Sequence, residues 1–211
     1  MVERTISQVR QPQLILASSS PYRRELLERL RFSFTAHAPT IDESPRHAEG
    51  PQQTAARLAQ EKAEAVAARF IGAVIIGSDQ VALLDGEQIG KPGNHAAALA
   101  QLKKMQGRTV LFHTAICLLD TREPPYGEHV QLANIETAVT FRTLPGHQLD
   151  RYLRIEQPYD CAGSAKNEGL GIALIASIKS TDPTALTGLP LIALSTMLIN
   201  AGFNFFAGAA Q

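Results

Sequence analysis

Cysteine is scarce in this sequence, an excess of either charge is missing, and no apolar run is long. Two Cys in 211 residues exclude a disulfide scaffold. Nothing in the sequence pairs Cys117 with Cys161, so both are expected as reduced thiols in a cytoplasmic protein. Twenty Lys and Arg balance twenty Asp and Glu. A net charge of zero speaks against a nucleic-acid partner, whose binding domains carry a basic excess. The same balance, with 45% hydrophobic residues, excludes an acidic disordered chain. No stretch approaches the roughly 20 apolar residues that span a bilayer, so no membrane partner is expected. The opening segment MVERTISQVRQPQ lacks the apolar core of a secretory signal. Residues 1–12 are expected as a frayed N-terminal extension ahead of one domain over 13–205.

What is present alternates between strand-like and helix-like segments, without repeats. QLILA (13–17) reads as a short buried strand, and Ser20 and Pro21 then fit the N-cap and first position of a helix over YRRELLERL. The polar stretch IDESPRHAEGPQ is expected as a surface loop, followed by a helix over TAARLAQEKAEAVAARF. AVIIGSD reads as a buried strand running into a sharp turn at Gly77. DGEQIGKPGN is hairpin-like, and HAAALAQLKKMQG is a helix stopped by Gly107. RTVLFHTAICLLD, IETAVTFRTL and GIALIASIKS read as strands. PGHQLDRYLRIEQP and LPLIALSTMLINAGF read as helices. The fold class is α/β, with a sheet that mixes parallel and antiparallel neighbours.

Three loops carry residue types suited to chemistry. Ser18-Ser19-Ser20-Pro21-Tyr22-Arg23-Arg24 joins a strand to a helix. Free N–H groups and the dipole at a helix N-terminus favour phosphate, and arginine adds bidentate donors. Spacing alone allows an ordinary capped surface helix equally well. Asp79, after AVIIGS, is placed to hold a divalent metal or to act as a base on water, or else simply caps a turn. Lys91, between Gly90 and Pro92, is a fixed point charge or a solvated hairpin tip. Glu43, Lys62, Lys166 and Glu168 are weaker candidates alone, each a solvated charge by default. The six His residues show no metal-ligand spacing, and HExxH, CxxC and nucleophile-elbow patterns are missing, which argues against a zinc enzyme or a serine hydrolase.

Taken in order, LILASSSPYRRELL (14–27), IDESPR (41–46), RLAQEKA (57–63), IIGSDQV (75–81), GKP (90–92), CAGSAKNEGLG (161–171) and TGLPL (187–191) resemble the Maf family of nucleotide pyrophosphatases. The resemblance covers nearly the whole chain. It implies an elongated mixed sheet with helices, shared with inosine-triphosphate pyrophosphatases, in two lobes around a central cleft. It implies hydrolysis of a nucleoside triphosphate to monophosphate and pyrophosphate with a divalent cation, Mg²⁺ or Mn²⁺, and a homodimer. It places Asp79 as the catalytic carboxylate, with Arg23, Arg24, Glu43, Lys62 and Lys91 at catalytic polar positions. Asp79 and Glu43 would be the metal carboxylates, and which is mainly base and which mainly ligand stays open. Ser18, Ser20 and Lys166 fall at substrate-binding positions.

Tyr22, Gln80 and Glu168 resemble the family's specificity positions. The branch acting on dTTP and UTP typically shows Arg, Thr and Gln there. This chain resembles instead the branch hydrolysing N7-methyl-GTP, whose familiar member has Trp where Tyr22 stands. A methylated guanine is cationic, and an aromatic face attracts a cation by ~0.5–2 kcal/mol. A carboxylate at Glu168 would accept from guanine N1–H and the 2-amino group. The alternatives are a Maf pyrophosphatase acting on dTTP, UTP or CTP, and a non-catalytic nucleotide-sensing regulator of the septum. On this reading zero net charge conceals a locally positive pocket where Arg23, Arg24, Lys62 and Lys91 converge.

Overall fold

The computed structural model describes residues 12–206, so the extension expected over 1–12 falls, apart from Pro12, outside the described residues. Strand β1 (Gln13–Ala17) enters helix α1 (Pro21–Glu28) through the cap foreseen: Ser20 Oγ accepts the Arg23 N–H, and Pro21 opens the helix. Strand β2 (Phe34–Ala36) follows, then helix α2 (Pro51–Ala67) and the long strand β3 (Ala73–Leu84). Strand β4 (Glu87–Ile89), helix α3 (His95–Met105), and strands β5 (Thr109–Asp120) and β6 (Val130–Phe141) come next. The chain closes with helix α4 (Gly146–Glu156), strand β7 (Ile175–Ser180) and helix α5 (Leu191–Asn200).

The seven strands form one mixed sheet in the order β2-β1-β3-β5-β6-β7, with β4 paired to β3. β2, β1 and β3 run parallel, and β5, β6 and β7 continue antiparallel. Side-chain alternation splits the core by face. Leu14, Leu16, Val74 and Ile76 pack with Leu26, Leu27 and α5 on one face. Ile15, Ala17, Ala73 and Ile75 pack on α2 on the other. A third cluster, around Leu84, Leu102, Phe112, Phe141 and Leu153, fills the far end of β3 and β5 beneath α3 and α4. No helix among the described residues is long and apolar enough to cross a membrane.

Two expectations fail here. β3 does not turn at Gly77. It runs straight through to Leu84, and the turn falls at Asp85 and Gly86, both at positive φ. Gly77 is required by proximity instead. A Cβ there would lie 2.0 Å from the Ala59 carbonyl oxygen and 2.9 Å from the Ala63 nitrogen, so only glycine lets α2 sit this close to the sheet. The second miss is GIALIASIKS (171–180), whose first four residues belong to a 3-10 turn (Leu170–Leu174), strand beginning only at Ile175. There the Glu156 carboxylate accepts the Leu170 N–H at 2.9 Å, and Gly171 presses on the Lys166 backbone, coiling the chain.

Gly77→Ala carries a testable consequence. Overpacking typically costs about 1–3 kcal/mol, and about 2–4 °C of Tm accompanies each kcal/mol in a chain of this size. The variant is expected to melt several degrees lower by calorimetry. It should also displace Lys62, which α2 carries on its buried face.

Candidate active site

The register of β3 creates the site. β1 pairs with Ala73–Gly77 and β4 with Ala82–Leu84, all on one edge. Between them, residues 78–81 pair as strand with β5 alone, leaving a gap in the sheet edge. A cleft of about 530 Å³ opens at that gap. Its walls come from the β1–α1 loop, α2, Glu43, the Gly90–Lys91 loop, Asp160–Ala162 and the Leu186–Gly188 loop.

Asp79 points to the α2 face of β3. The seven buried residues of α2 recur at helical spacing, and Lys62 is among them. Its Nζ lies 2.6 Å from Asp79 Oδ1 and 3.0 Å from Glu43 Oε1, so one ammonium bridges two carboxylates from different elements. Burial pushes the Asp79 carboxyl above the usual aspartate range, while Lys62 and then Arg23 pull it back down. Arg23 donates from Nε to the Gly188 carbonyl at 2.8 Å and from Nη1 toward Ser18 Oγ at 3.5 Å. Burial lowers its pKa, and the nearby Asp79 and Glu43 charges offset this. Ser18 Oγ also accepts the Ser20 N–H at 3.1 Å, so the serine run is folded toward the N-terminus of α1.

On the opposite face of β3, the Gln80 amide nitrogen donates to Thr114 Oγ1, Ala185 O and Leu186 O at 2.9, 3.1 and 3.0 Å. Thr114 Oγ1 donates to Ala185 O at 3.0 Å, and Ser78 Oγ lies 2.9 Å from Gly188 O. Gln80 thus braces the 185–188 loop. Tyr22 is half-buried in the cleft wall, and the Lys166 ammonium lies 5.5 Å from its ring centroid. Desolvation raises the Tyr22 pKa, and the contact with Tyr22 raises that of Lys166. Glu156 holds the same ammonium at 3.5 Å. Glu168 lines the cleft. Although the residue is exposed as a whole, loss of water around its carboxyl group raises its pKa.

Ser18, Ser20, Tyr22, Arg23, Glu43, Lys62, Asp79, Gln80, Lys91 and Glu168 thus line one cleft. Arg24 does not: it is exposed and turned away, one helical step from Arg23. Lys166 reaches the cleft only through Tyr22. Thr187, Asn167 and the Gly188 carbonyl were missed. TGLPL was the signal for two of them, although a carbonyl's role carries no side-chain signature. Nor is the cleft uniformly positive. Arg23, Lys62 and Lys91 share the cleft with Glu43, Asp79, Asp160 and Glu168, the first two acids at Lys62, Asp160 near Tyr22 and Glu168 near Lys166.

The donor set suits a hard divalent cation. No cluster of three or more His, Cys, Asp or Glu able to hold an ion occurs among the described residues. The Glu43 and Asp79 carboxylates, brought together on Lys62, fit the habit of Mg²⁺, which takes one or two carboxylates and completes its shell with water and substrate phosphate.

A mixed α/β sheet with a polar cleft at an interrupted strand edge, a helix N-terminus on one wall and paired carboxylates on another, defines a protein built to hold an anionic ligand. The chain belongs to the family described as Maf-like protein, whose model matches residues 13–201. A 7-methyl-GTP pyrophosphatase of Ralstonia nicotianae is 62% identical over 196 residues, covering 93% of this chain and 99% of that one. A protein of the same name from Paraburkholderia xenovorans is 59% identical over 197 residues, covering 92% and 94%. Likeness to solved structures is slighter. A nucleoside-triphosphatase / dITP/XTP pyrophosphatase from Mycobacterium abscessus shares 16% identity at TM-score 0.40, over 90% of this chain and 95% of that one.

Proposed function

We propose that this protein hydrolyses N7-methyl-GTP to N7-methyl-GMP and pyrophosphate, clearing a modified nucleotide in the cytoplasm. The observation that carries the reaction is the Glu43–Lys62–Asp79 group at the gap in β3. The substrate rests on the two relatives named 7-methyl-GTP pyrophosphatase, at 59 and 62% identity. The unit is one domain over 13–205 acting as a homodimer. Its ligands are a small nucleotide and a divalent cation, with neither nucleic acid nor membrane as partner.

The triphosphate lies along the N-terminus of α1, where backbone N–H groups and the Ser18 and Ser20 hydroxyls meet phosphate oxygens. Arg23, Lys62 and Lys91 offset its charge and the charge that develops at the α-phosphate. Arg24, although outside the cleft wall, adds long-range attraction for the polyanion. Asp79 accepts the proton of a water attacking the α-phosphorus. The bond to the bridging oxygen breaks, and pyrophosphate leaves with that electron pair. Mg²⁺ or Mn²⁺ held by Glu43 and Asp79 would supply Lewis-acid neutralisation of phosphate oxygens.

The base end of the cleft suits a cation. Tyr22 already carries the Lys166 ammonium against its ring, and Glu156 offers Lys166 a place to retreat. Asp160 and Glu168 bring negative charge to the same end. Glu168 accepts from guanine N1–H and the 2-amino group.

Pyrophosphate release across a nucleotide panel tests this. N7-methyl-GTP is expected to exceed GTP, dTTP, UTP and CTP in kcat/KM by at least about tenfold, or ~1.4 kcal/mol of discrimination. Preference for a pyrimidine nucleotide would overturn the substrate. No turnover on any nucleotide with Mg²⁺ or Mn²⁺ would leave a nucleotide-sensing regulator as the reading.

A further inference from the structure

Glu43 stands on a segment without regular secondary structure, and its side chain is 59% exposed, yet it meets Lys62 at 3.0 Å. Something outside the reacting group must hold it there, since an exposed ion pair contributes little by itself. The contacts of the segment converge on Arg57, five residues before Lys62 on α2. Arg57 Nε and Nη2 donate to the two Glu49 carboxylate oxygens, each at 2.7 Å. The same Nη2 donates to the Ser44 carbonyl at 3.1 Å, directly after Glu43 in the chain. Nη1 donates to Glu61, four residues on along α2, at 3.0 Å. The Arg57 and Glu49 side chains are 13% and 12% exposed, so this bidentate pair is far better shielded than the residue it serves.

Around it the segment closes on itself. Glu49 also accepts from the Thr54 hydroxyl at 3.1 Å and the Arg46 N–H at 3.2 Å, and Arg46 donates to Glu61 at 2.6 Å. Asp42 accepts the Ser44 N–H at 2.9 Å. Arg57 holds the Glu49 carboxyl down to about 2, so the pair stays charged at any pH suited to assay.

We infer that Arg57 is a positioning residue: by gripping Glu49 and the Ser44 carbonyl together it fixes residues 43–49 on α2 and sets Glu43 opposite Asp79 across Lys62. Arg57 does not line the cleft and touches none of the reacting atoms. The inference rests on the reading of Glu43 and Asp79 as the reacting carboxylates. Lysine cannot replace it, because one ammonium cannot grip a carboxylate with two parallel bonds and a carbonyl at once.

Arg57→Gln and Glu49→Gln, each alone and each combined with Glu43→Gln, test the inference. The first readout needs neither metal nor nucleotide: tryptic cleavage after Arg46 is expected to speed about tenfold in both single variants. The second is Mn²⁺ affinity by electron paramagnetic resonance, expected to weaken about tenfold, as is usual when groups orienting a ligand are removed. In turnover, kcat should fall about tenfold with the nucleotide KM within twofold, and Arg57→Lys should not restore it. In the Glu43→Gln background, Arg57→Gln should cost nothing further in kcat or Mn²⁺ affinity. Unchanged cleavage and Mn²⁺ affinity in Arg57→Gln, or an equal loss in both backgrounds, would overturn the positioning role. Absence of turnover in the unmodified protein would instead overturn the pyrophosphatase reading, with cleavage and Mn²⁺ binding still deciding the role of Arg57.

Discussion

Asp79→Asn is expected to lower kcat by about 10²–10⁴-fold, the usual contribution of a positioned general base. Asparagine has the same shape, and its Oδ1 can still accept from Lys62 Nζ, so the contact now at 2.6 Å can survive. The folded state is therefore expected to persist. Burial raises the Asp79 carboxyl, so the native protein already bears a cost for ionising it, and a neutral amide removes that cost along with part of the Lys62 pairing. The two changes oppose each other, and Tm by calorimetry should move little while turnover collapses. Nucleotide KM should stay within a few fold, since phosphate contacts are assigned to the serine run, Arg23 and Lys91. Glu43→Gln should instead weaken metal dependence more than it lowers saturated kcat. Retained turnover in Asp79→Asn would remove Asp79 as proton acceptor and leave Glu43 to that role.

How the sequence encodes this arrangement differs from residue to residue. The Ser20-Pro21 cap was legible because a helix start is a local event, settled by one hydroxyl and one fixed φ. The helix over α2 was legible for the same reason, but lysine by itself reads as a solvated charge, and only the packing of α2 shows Lys62 among its buried residues. Gly77 was read wrongly because glycine serves two ends. It allows a turn, and it also allows a helix to approach a strand, and only the tertiary position of α2 distinguishes them. The edge gap at residues 78–81 is not a local property at all, since it follows from where β1 ends and where β4 begins against β3. Arg23 and Arg24 look equivalent in sequence, but about 100° of helical rotation sends one to the Gly188 carbonyl and the other to solvent. The brace from Ser78, Gln80 and Thr114 to the 185–188 loop acts on backbone carbonyls, which no residue identity announces. The expected positive pocket also depended on summing charges without their places. The structure brings four acids to the same cleft, two at the reacting group, one near Tyr22 and one near Lys166.

Lys62→Met should show whether the ammonium or the carboxylates dominate the reacting group. Methionine follows the lysine stem closely in length, so the buried stripe of α2 keeps its packing while the charge between Glu43 and Asp79 disappears. Two carboxylates then face each other without their shared cation. Lys62 is the largest influence holding the Asp79 carboxyl down against burial, so its loss raises that pKa further. A base must be ionised to work, and a higher pKa means a smaller ionised fraction at a given pH. The acid limb of the kcat profile is therefore expected to shift to higher pH, with about 10²–10³-fold less turnover at neutral pH once a preorganised cation at the phosphate is also lost. Stability should follow the same sign. Between the ordinary aspartate value and the raised folded value, the folded state binds more protons than the unfolded state. Stability in that window accordingly falls as pH rises, and levels off above it. In Lys62→Met the window extends upward, so the deficit against the unmodified protein should be smallest in acid and grow toward neutral pH. Denaturant melts across that range measure it. A deficit that shrinks toward neutral pH, or an acid limb that stays in place, would show that Lys62 does not control Asp79 ionisation.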